Sequence, residues 1–245
     1  MKFGVADYGM NVWEGGNFDP ESRWARLREI GYNGTERLAA VSADDAVHKA
    51  ARVRRLGADF ATVLGPNPET SLQWTAAFGK SYVWTAATGQ DFTTFCRQTN
   101  RQVAAAARWG VRVGLHNHMG SQVETQEQVE TFLACCPDCG LILDTAHLAA
   151  VGGDPVRTVR EFPDRLVAIH LKDWISTDPE AEHWFKRGRF CELGAGNIGL
   201  DNIAVMRALV EVGYDGWIFV EQDTHLQDPY LDLAKSREYL RKAGF

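Results

Sequence analysis

GLILDTAHLAAVGGDPVRTVREFPDRLVAIHLKDW, residues 140–174, decides the fold. Its two ends, GLILDT (140–145) and LVAIHLK (166–172), are almost continuously apolar. A strand with one wet face alternates apolar and polar residues. A strand apolar at nearly every position is covered on both faces, as parallel strands beneath helices are. Between the two runs, 154–162 reads as a weaker helix. The segment is therefore a strand–helix–strand unit.

Working outward, the same alternation recurs along the whole chain. Further strand candidates are KFGVAD (2–7), GTERLA (34–39), ADFATVL (58–64), YVWTAA (82–87), VRVGLHN (111–117) and WIFVEQ (217–222). Helical patterns fill 20–31, 42–57, 91–110, 124–136, 199–213 and 229–243, with a weaker one over 69–80. Asp19 before Pro20 and Ser42 are N-cap candidates, and Gly31 and Gly57 are stops. The turns GYNG (31–34) and GYDG (213–216) are written alike, each leading from a helix into a strand. Eight strands, each followed by a helix, predict the α/β class and one (β/α)₈ TIM barrel over residues 1–245. An open doubly wound sheet would want a glycine-rich phosphate turn after the first strand, and DYGMNVWEGG does not fit one.

The chain has 245 residues, 45% hydrophobic and 24% charged, which excludes a disordered or fibrous protein. Its 26 Lys and Arg against 32 Asp and Glu give a formal charge of −6. A nucleic-acid partner would want a basic surplus, so none is expected. No apolar stretch of about 18 residues predicts a membrane span, and MKFGVADYGMNVWEGG does not read as a secretory signal. Five cysteines (96, 135, 136, 139, 191) are expected as reduced thiols in a cytoplasmic protein. Cys136 and Cys139 have CxxC spacing, but they precede the sixth strand and lack a second pair, which argues against zinc.

In such a barrel the chemistry collects where the strands end at their carboxyl side. Those ends carry Asp7 and Tyr8, Glu36, His116 with Asn117 and His118, Asp144 with His147, His170 with Lys172 and Asp173, and Glu221 with Asp223. A buried apolar strand ending in an imidazole or carboxylate is costly unless that group is paired or holds a metal. His116, Asp144, His170 and Glu221 come from four successive strands. They form a candidate site for a divalent ion (Mn, Zn, Co, Fe or Mg). Candidate bases are Glu221, His118 and Lys172, an imidazole or a desolvated lysine being able to titrate near neutral pH. The long connection 173–198 would rise from this rim. In it, Arg187 and Arg189 are candidates for a substrate hydroxyl, carboxylate or phosphate, and Trp174 and Phe190, with Trp13, for a sugar face. The run GAGNIG (194–199) reads as turn chemistry.

The motifs GLHNHMGSQVET (114–125), LDTAH (143–147), VGGDP (151–155), IHLKDW (169–174), LGAGNIGLDNI (193–203) and GYDGWIFVEQD (213–223), with GYNGTERL (31–38), resemble the xylose-isomerase-like barrel superfamily. HNHMG, GGDP and HLKD look closest to its inosose dehydratase branch. The resemblance implies a metal held by Asp144, His170, Glu221 and a fourth group. The broader family usually has a Glu two residues before a His at that fourth place, where this chain has His116. Either His116 or Glu124 would then supply the ligand, or an extra water would. It also implies that His147 lines the substrate site and that Glu36 occupies a position of varied role, read here as substrate-binding. The implied activity is isomerisation or epimerisation of a sugar or sugar phosphate, by proton abstraction next to a carbonyl through a metal-stabilised enediolate. The alternative is a lyase of inosose dehydratase type acting on a keto-cyclitol. The implied partner is a small-molecule sugar or cyclitol, and barrels of this type often form homo-oligomers.

Overall fold

The structure, a computed structural model, describes residues 1–6, 8–14 and 19–245. Asp7, expected at the end of the first strand, lies outside the described residues. Eight parallel strands form the barrel: β1 (Lys2–Ala6), β2 (Gly34–Ala39), β3 (Asp59–Leu64), β4 (Tyr82–Trp84), β5 (Arg112–His116), β6 (Gly140–Asp144), β7 (Leu166–Leu171) and, after the hairpin β8 (Asp173–Ser176) and β9 (Gly188–Cys191), β10 (Trp217–Glu221). The ladder order is β3-β2-β1-β10-β7-β6-β5-β4. β3 and β4 come together without a ladder, so the barrel is nearly closed.

The helices are α1 (Tyr8–Glu14), α2 (Pro20–Ile30), α3 (Ala43–Arg55), α4 (Pro68–Ala77), α5 (Phe92–Ala107), α6 (Gln126–Cys135), α7 (Thr145–Ala149), α8 (Pro155–Glu161), α9 (Asn202–Glu211) and α10 (Pro229–Lys242). Ser42, Asn67, Asp91, Thr125, Asp154, Asp201 and Asp228 cap their first turns through side-chain oxygens. The twin turns end α2 and α9 with Gly31 at φ 107° and Gly213 at φ 72°, a region that side chains with a Cβ avoid. The weak helical patterns at 69–80 and 154–162 are α4 and α8.

The barrel interior alternates small and large residues: Ala6, Ala61 and Ala168 with Tyr82, Ile142 and Phe219. A larger apolar layer, including Val113, Leu141, Ile169 and Val220, lies between strands and helices. Two expectations need correction. YVWTAA is a strand only over Tyr82–Trp84, because its partner β5 pairs no further than Gly114. The long connection 173–198 is not open loop: β8 and β9 pair antiparallel within it, Trp174 opposite Phe190.

A candidate metal centre at the barrel mouth

Strand register explains why side chains distant in sequence meet. His116 lies opposite Ile142 on β6, Asp144 opposite His170 on β7, and His170 opposite Phe219 on β10. Moving two residues along a strand keeps the same face, so Ile142 and Asp144 point one way, as do Phe219 and Glu221. Ile142 and Phe219 belong to the barrel interior, so all four site residues face inward at its upper end. Donor atoms of His116, Asp144, His170 and Glu221 lie within 4.8 Å of one another. Glu124 is not in this group among the described residues; its N–H donates to Gln128 at the start of α6.

Each member is fixed by its surroundings. Asp144 is fully buried and caps α7, its Oδ1 accepting from His147 N–H at 2.9 Å. Asn117 clasps the Asp144 backbone, accepting from its N–H (2.9 Å) and donating to its carbonyl (3.0 Å). Asp144 Oδ2 is left facing His116 Nε2 at 3.4 Å and Lys172 Nζ at 3.5 Å. Trp84 stacks on His116 with ring centroids 4.8 Å apart. His170 lies between two carboxylates, Nδ1 at 2.6 Å from Glu221 Oε2 and Nε2 at 3.2 Å from Glu36 Oε2. Glu36 Oε1 accepts from Tyr82 OH (2.9 Å) and Trp84 Nε1 (2.8 Å). Glu36 was expected to bind substrate; the structure instead buries it behind His170, away from the mouth lining, because both its oxygens face barrel groups.

Burial disfavours charge on these carboxylates, yet the neighbouring cations outweigh it. Asp144 is held well below the usual carboxylate range against its burial, chiefly by the Lys172 ammonium. Glu221 is lowered against its burial by Lys172 and His170. Burial would lower His170, but Glu36 and Glu221 raise it to about 10. Burial would also lower Lys172, but Glu221, Asp144 and Asp223 reverse that and raise it, the Asp223 contact being 2.8 Å. A lysine titrating near neutral pH is therefore not what the site contains: three carboxylates hold Lys172 as an ammonium. Asp223 is pushed up to about 7 by burial and by Glu221, which outweigh Lys172.

The donor set suits a divalent cation. His116 Nε2 and Asp144 Oδ2 are buried and make no hydrogen bond, as are Glu36 Oε2 and His170 Nε2. Each buried polar atom left unsatisfied costs about 1–3 kcal/mol. An ion bound by two imidazoles and two carboxylates would relieve that cost at His116 Nε2 and Asp144 Oδ2, while Glu36 Oε2 and His170 Nε2 face each other at 3.2 Å; such a mixed nitrogen and oxygen set fits Zn, Mn, Co or Fe better than Ca.

Above this group, His118 and His147 overlap with ring centroids 3.7 Å apart. The Met119 peptide touches both: its carbonyl is 2.6 Å from His118 Nδ1, and its N–H donates to His147 Nδ1 at 3.3 Å. His118 Nδ1 therefore donates to the Met119 carbonyl, while His147 Nε2 lies 3.4 Å from Lys172 Nζ. Burial drives His147 well below the ordinary imidazole value, more than Asp144 restores, so it is neutral. His147 is wholly buried behind His118 and does not itself line the mouth.

The mouth is a cavity of about 440 Å³ lined in part by Trp84, His116, His118, Lys172 and Glu221. The hairpin supplies one wall, with Trp174, Trp184, Arg189 and Phe190. Trp184 stands edge-on to His118 at 5.1 Å. Arg187 donates to the Ala181 carbonyl and is not in the lining, and Trp13 lies exposed on α1 outside it. In GAGNIG, Gly194 N–H donates to Asp173 Oδ2, and a Cβ on Gly196 would meet Asp173 Oδ1 at 1.9 Å, so the run fastens the hairpin base. Sequence reading missed Tyr82, Trp84 and Arg37 at the site. The i, i+2 spacing of Tyr82 and Trp84, which puts both on one face of a strand, is the signal that would have found two of them.

The fold and the inward His/Asp/Glu group define a (β/α)₈ barrel with a candidate metal centre at its mouth. The family model for xylose isomerase-like TIM barrels matches residues 5–243, and the chain belongs to that family. An inosose dehydratase from Lacticaseibacillus casei is 34% identical over 143 residues, 54% of this chain and 47% of that enzyme, so the match spans about half the relative's length. A probable 3-DHS dehydratase, AsbF, from Bacillus anthracis superposes with TM-score 0.76 at 13% identity, over 98% of this chain and 99% of the other. A 3-keto-D-glucoside 4-epimerase from E. coli superposes with TM-score 0.72 at 17% identity, over 99% of both. No helix among the described residues is long and apolar enough to cross a membrane.

Proposed function

We propose that this chain is a divalent-metal-dependent enzyme that removes a proton from carbon next to a carbonyl in a sugar, sugar phosphate or cyclitol. The convergence of four donor atoms within 4.8 Å, beside two closely packed imidazoles, carries this reading. His116, Asp144, His170 and Glu221 would hold the ion. When bound, a divalent cation supplies Lewis-acid polarisation of a substrate oxygen and stabilises the negative charge that develops there.

The protein's own groups divide the remaining work. His118 lines the mouth with Nδ1 engaged by the Met119 carbonyl, which makes its Nε2 the atom to accept the proton from carbon. Glu221 is a weaker base because Lys172 and His170 hold it ionised. The Lys172 ammonium faces the mouth as a fixed positive charge and donor for a substrate oxygen. Trp174, Trp184 and Phe190 cover the cavity and keep water from the transferred proton.

Return of the proton to the neighbouring carbon isomerises the substrate, and return to the opposite face epimerises it; the epimerase on the same fold supports this reading. A second reading has specific support from the inosose dehydratase relative: loss of a β-hydroxyl as water, the leaving oxygen taking the proton that His118 removed from carbon. The test is turnover of keto sugars and of inosose in D₂O with Mn²⁺ or Co²⁺. Deuterium at the carbon next to the carbonyl without water loss supports isomerisation or epimerisation, and an unsaturated, dehydrated product supports the lyase. Asp144→Ala and Glu221→Ala should lose both bound metal and turnover; full metal content in both variants refutes the site.

A further inference from the structure

The mouth contains more positive charge than the proposed reaction on a neutral sugar uses. Among the described residues, five arginines are half-buried: Arg37, Arg165, Arg187, Arg189 and Arg237. Arg165 donates to the Leu133, Cys136 and Cys139 carbonyls, Arg187 to Ala181, and Arg237 to Gly31 and Phe245. Arg37 and Arg189 make no hydrogen bond and no ion pair among the described residues, and these two line the mouth. Arg37 lies with its guanidinium 4.6 Å from the centroid of the Trp84 ring, the ring that also stacks on His116. It further lines a second cavity, about 270 Å³, beside β3 and β4.

A guanidinium presents five donors in a rigid fork, and leaving it half-buried without an acceptor is costly. The carboxylates at the mouth do not serve it. Glu221 and Asp223 are engaged by Lys172, and Glu36 by His170, Tyr82 and Trp84. A ligand in the mouth would supply acceptors that these two guanidiniums otherwise take from water. Asp144, Glu221 and Glu36 also disfavour an anion at the centre of the site, which directs the ligand's negative charge towards the arginines.

We propose that Arg37, together with Arg189, recognises an anionic substituent, a carboxylate or a phosphate, on the substrate. This deepens the proposed function and rests on it for the claim that the ligand is a sugar. The structure thereby assigns the chain to charged sugars over neutral ones, with Arg37 as the specificity-determining residue.

The experiment is calorimetric titration of the Mn²⁺-loaded chain with D-glucuronate, D-glucose 6-phosphate and neutral D-glucose. Arg37→Met, which keeps an apolar stem against Trp84, and Arg37→Lys are titrated in parallel. Metal content is measured in each variant to show that the centre is intact. At least one anionic ligand should bind about 10-fold or more tightly than glucose. Arg37→Met should erase the preference and Arg37→Lys should retain part of it. The member preferred tells carboxylate from phosphate. Equal binding of charged and neutral ligands, absence of binding by both anions, or a preference that survives Arg37→Met overturns the proposal. Arg37-dependent anion binding without metal-dependent turnover of any sugar would sink the proposed function and leave the anion site standing. Turnover with no charge preference would do the reverse.

Discussion

Glu36 connects the barrel interior to the mouth. One oxygen is held by Tyr82 and Trp84, and the other faces His170 Nε2. A carboxylate behind a metal-binding imidazole fixes which ring nitrogen carries the proton and strengthens the other as a donor, and losing such a partner typically costs 10–100-fold in metal affinity. Glu36→Gln keeps the shape and removes the charge. It should weaken Mn²⁺ or Co²⁺ binding by about that factor with an unchanged circular dichroism spectrum. Wild-type affinity in the variant would show that Glu36 does not act through His170. The same ring sets a pH dependence. Burial lowers the His170 pKa, but Glu36 and Glu221 raise it to about 10 in the metal-free chain. The folded chain then holds a proton that the unfolded chain releases above the ordinary imidazole value. That stabilisation is complete at lower pH and is lost as pH rises through about 10. A bound ion needs the neutral ring, so binding expels the proton and apparent affinity rises with pH up to about 10. Calorimetry in buffers of different ionisation enthalpy should count about one proton released from His170. Affinity flat with pH would remove His170 from the ligand set.

At the scale of elements, what the sequence reveals depends on how far apart the partners lie. GLILDT and LVAIHLK are legible as strands because burial on both faces demands continuous apolar residues, and β6 and β7 form there. The inward group was legible too, since Asp144, His170 and Glu221 end such runs. The hairpin was not: β8 and β9 have four residues each, and Gly188 and Arg189 carry no strand signal. The surroundings of Glu36 were hidden because Tyr82 and Trp84 reach it from β4, two strands along the wall and beyond the β3–β4 junction that has no ladder. Arg37 could not be singled out, since only the pairing of the other half-buried arginines makes its lack of a partner informative. The hairpin's contribution is testable at Trp184, which stands 5.1 Å from the His118 ring and 5.8 Å from His147. Its side chain is only partly buried, so Trp184→Ala should cost about 1 kcal/mol of stability or less. It should nonetheless lower kcat/KM at least 10-fold by wetting the imidazole pair. Unchanged kinetics would mean that the hairpin is only a cover for the rim.

Among the described residues, the hydrogen-bonded wall of the molecule is interrupted at one place. β3 and β4 are neighbours without a ladder, and side chains from α4 and α5 take over the strand-edge groups. Thr75 Oγ1 accepts from Val63 N–H at 3.0 Å, and Ser71 Oγ from Gly65 N–H at 2.9 Å. Gln102 accepts from Ala86 N–H at 2.8 Å and donates to the Trp84 carbonyl at 3.0 Å. These side-chain bonds substitute for a strand pairing in the part of the barrel that carries Arg37 and Trp84, so the seam should be the first part of the wall to open. The four candidate metal ligands lie on β5, β6, β7 and β10, which are consecutive in the ladder away from the seam. Ion binding should therefore raise global stability without closing the seam. At a hundredfold excess over Kd, linkage adds about 2.7 kcal/mol, a rise of about 5–10 °C in Tm for a chain of this size. Gln102→Ala should cost about 0.5–1.5 kcal/mol by removing the partner of the Ala86 N–H and Trp84 carbonyl, which water can reach. Hydrogen exchange should show Ala86 deprotected in the variant while β6 and β7 stay protected, with or without Mn²⁺. Uniform loss of protection around the barrel would mean that the wall opens as one unit and that the seam has no separate stability.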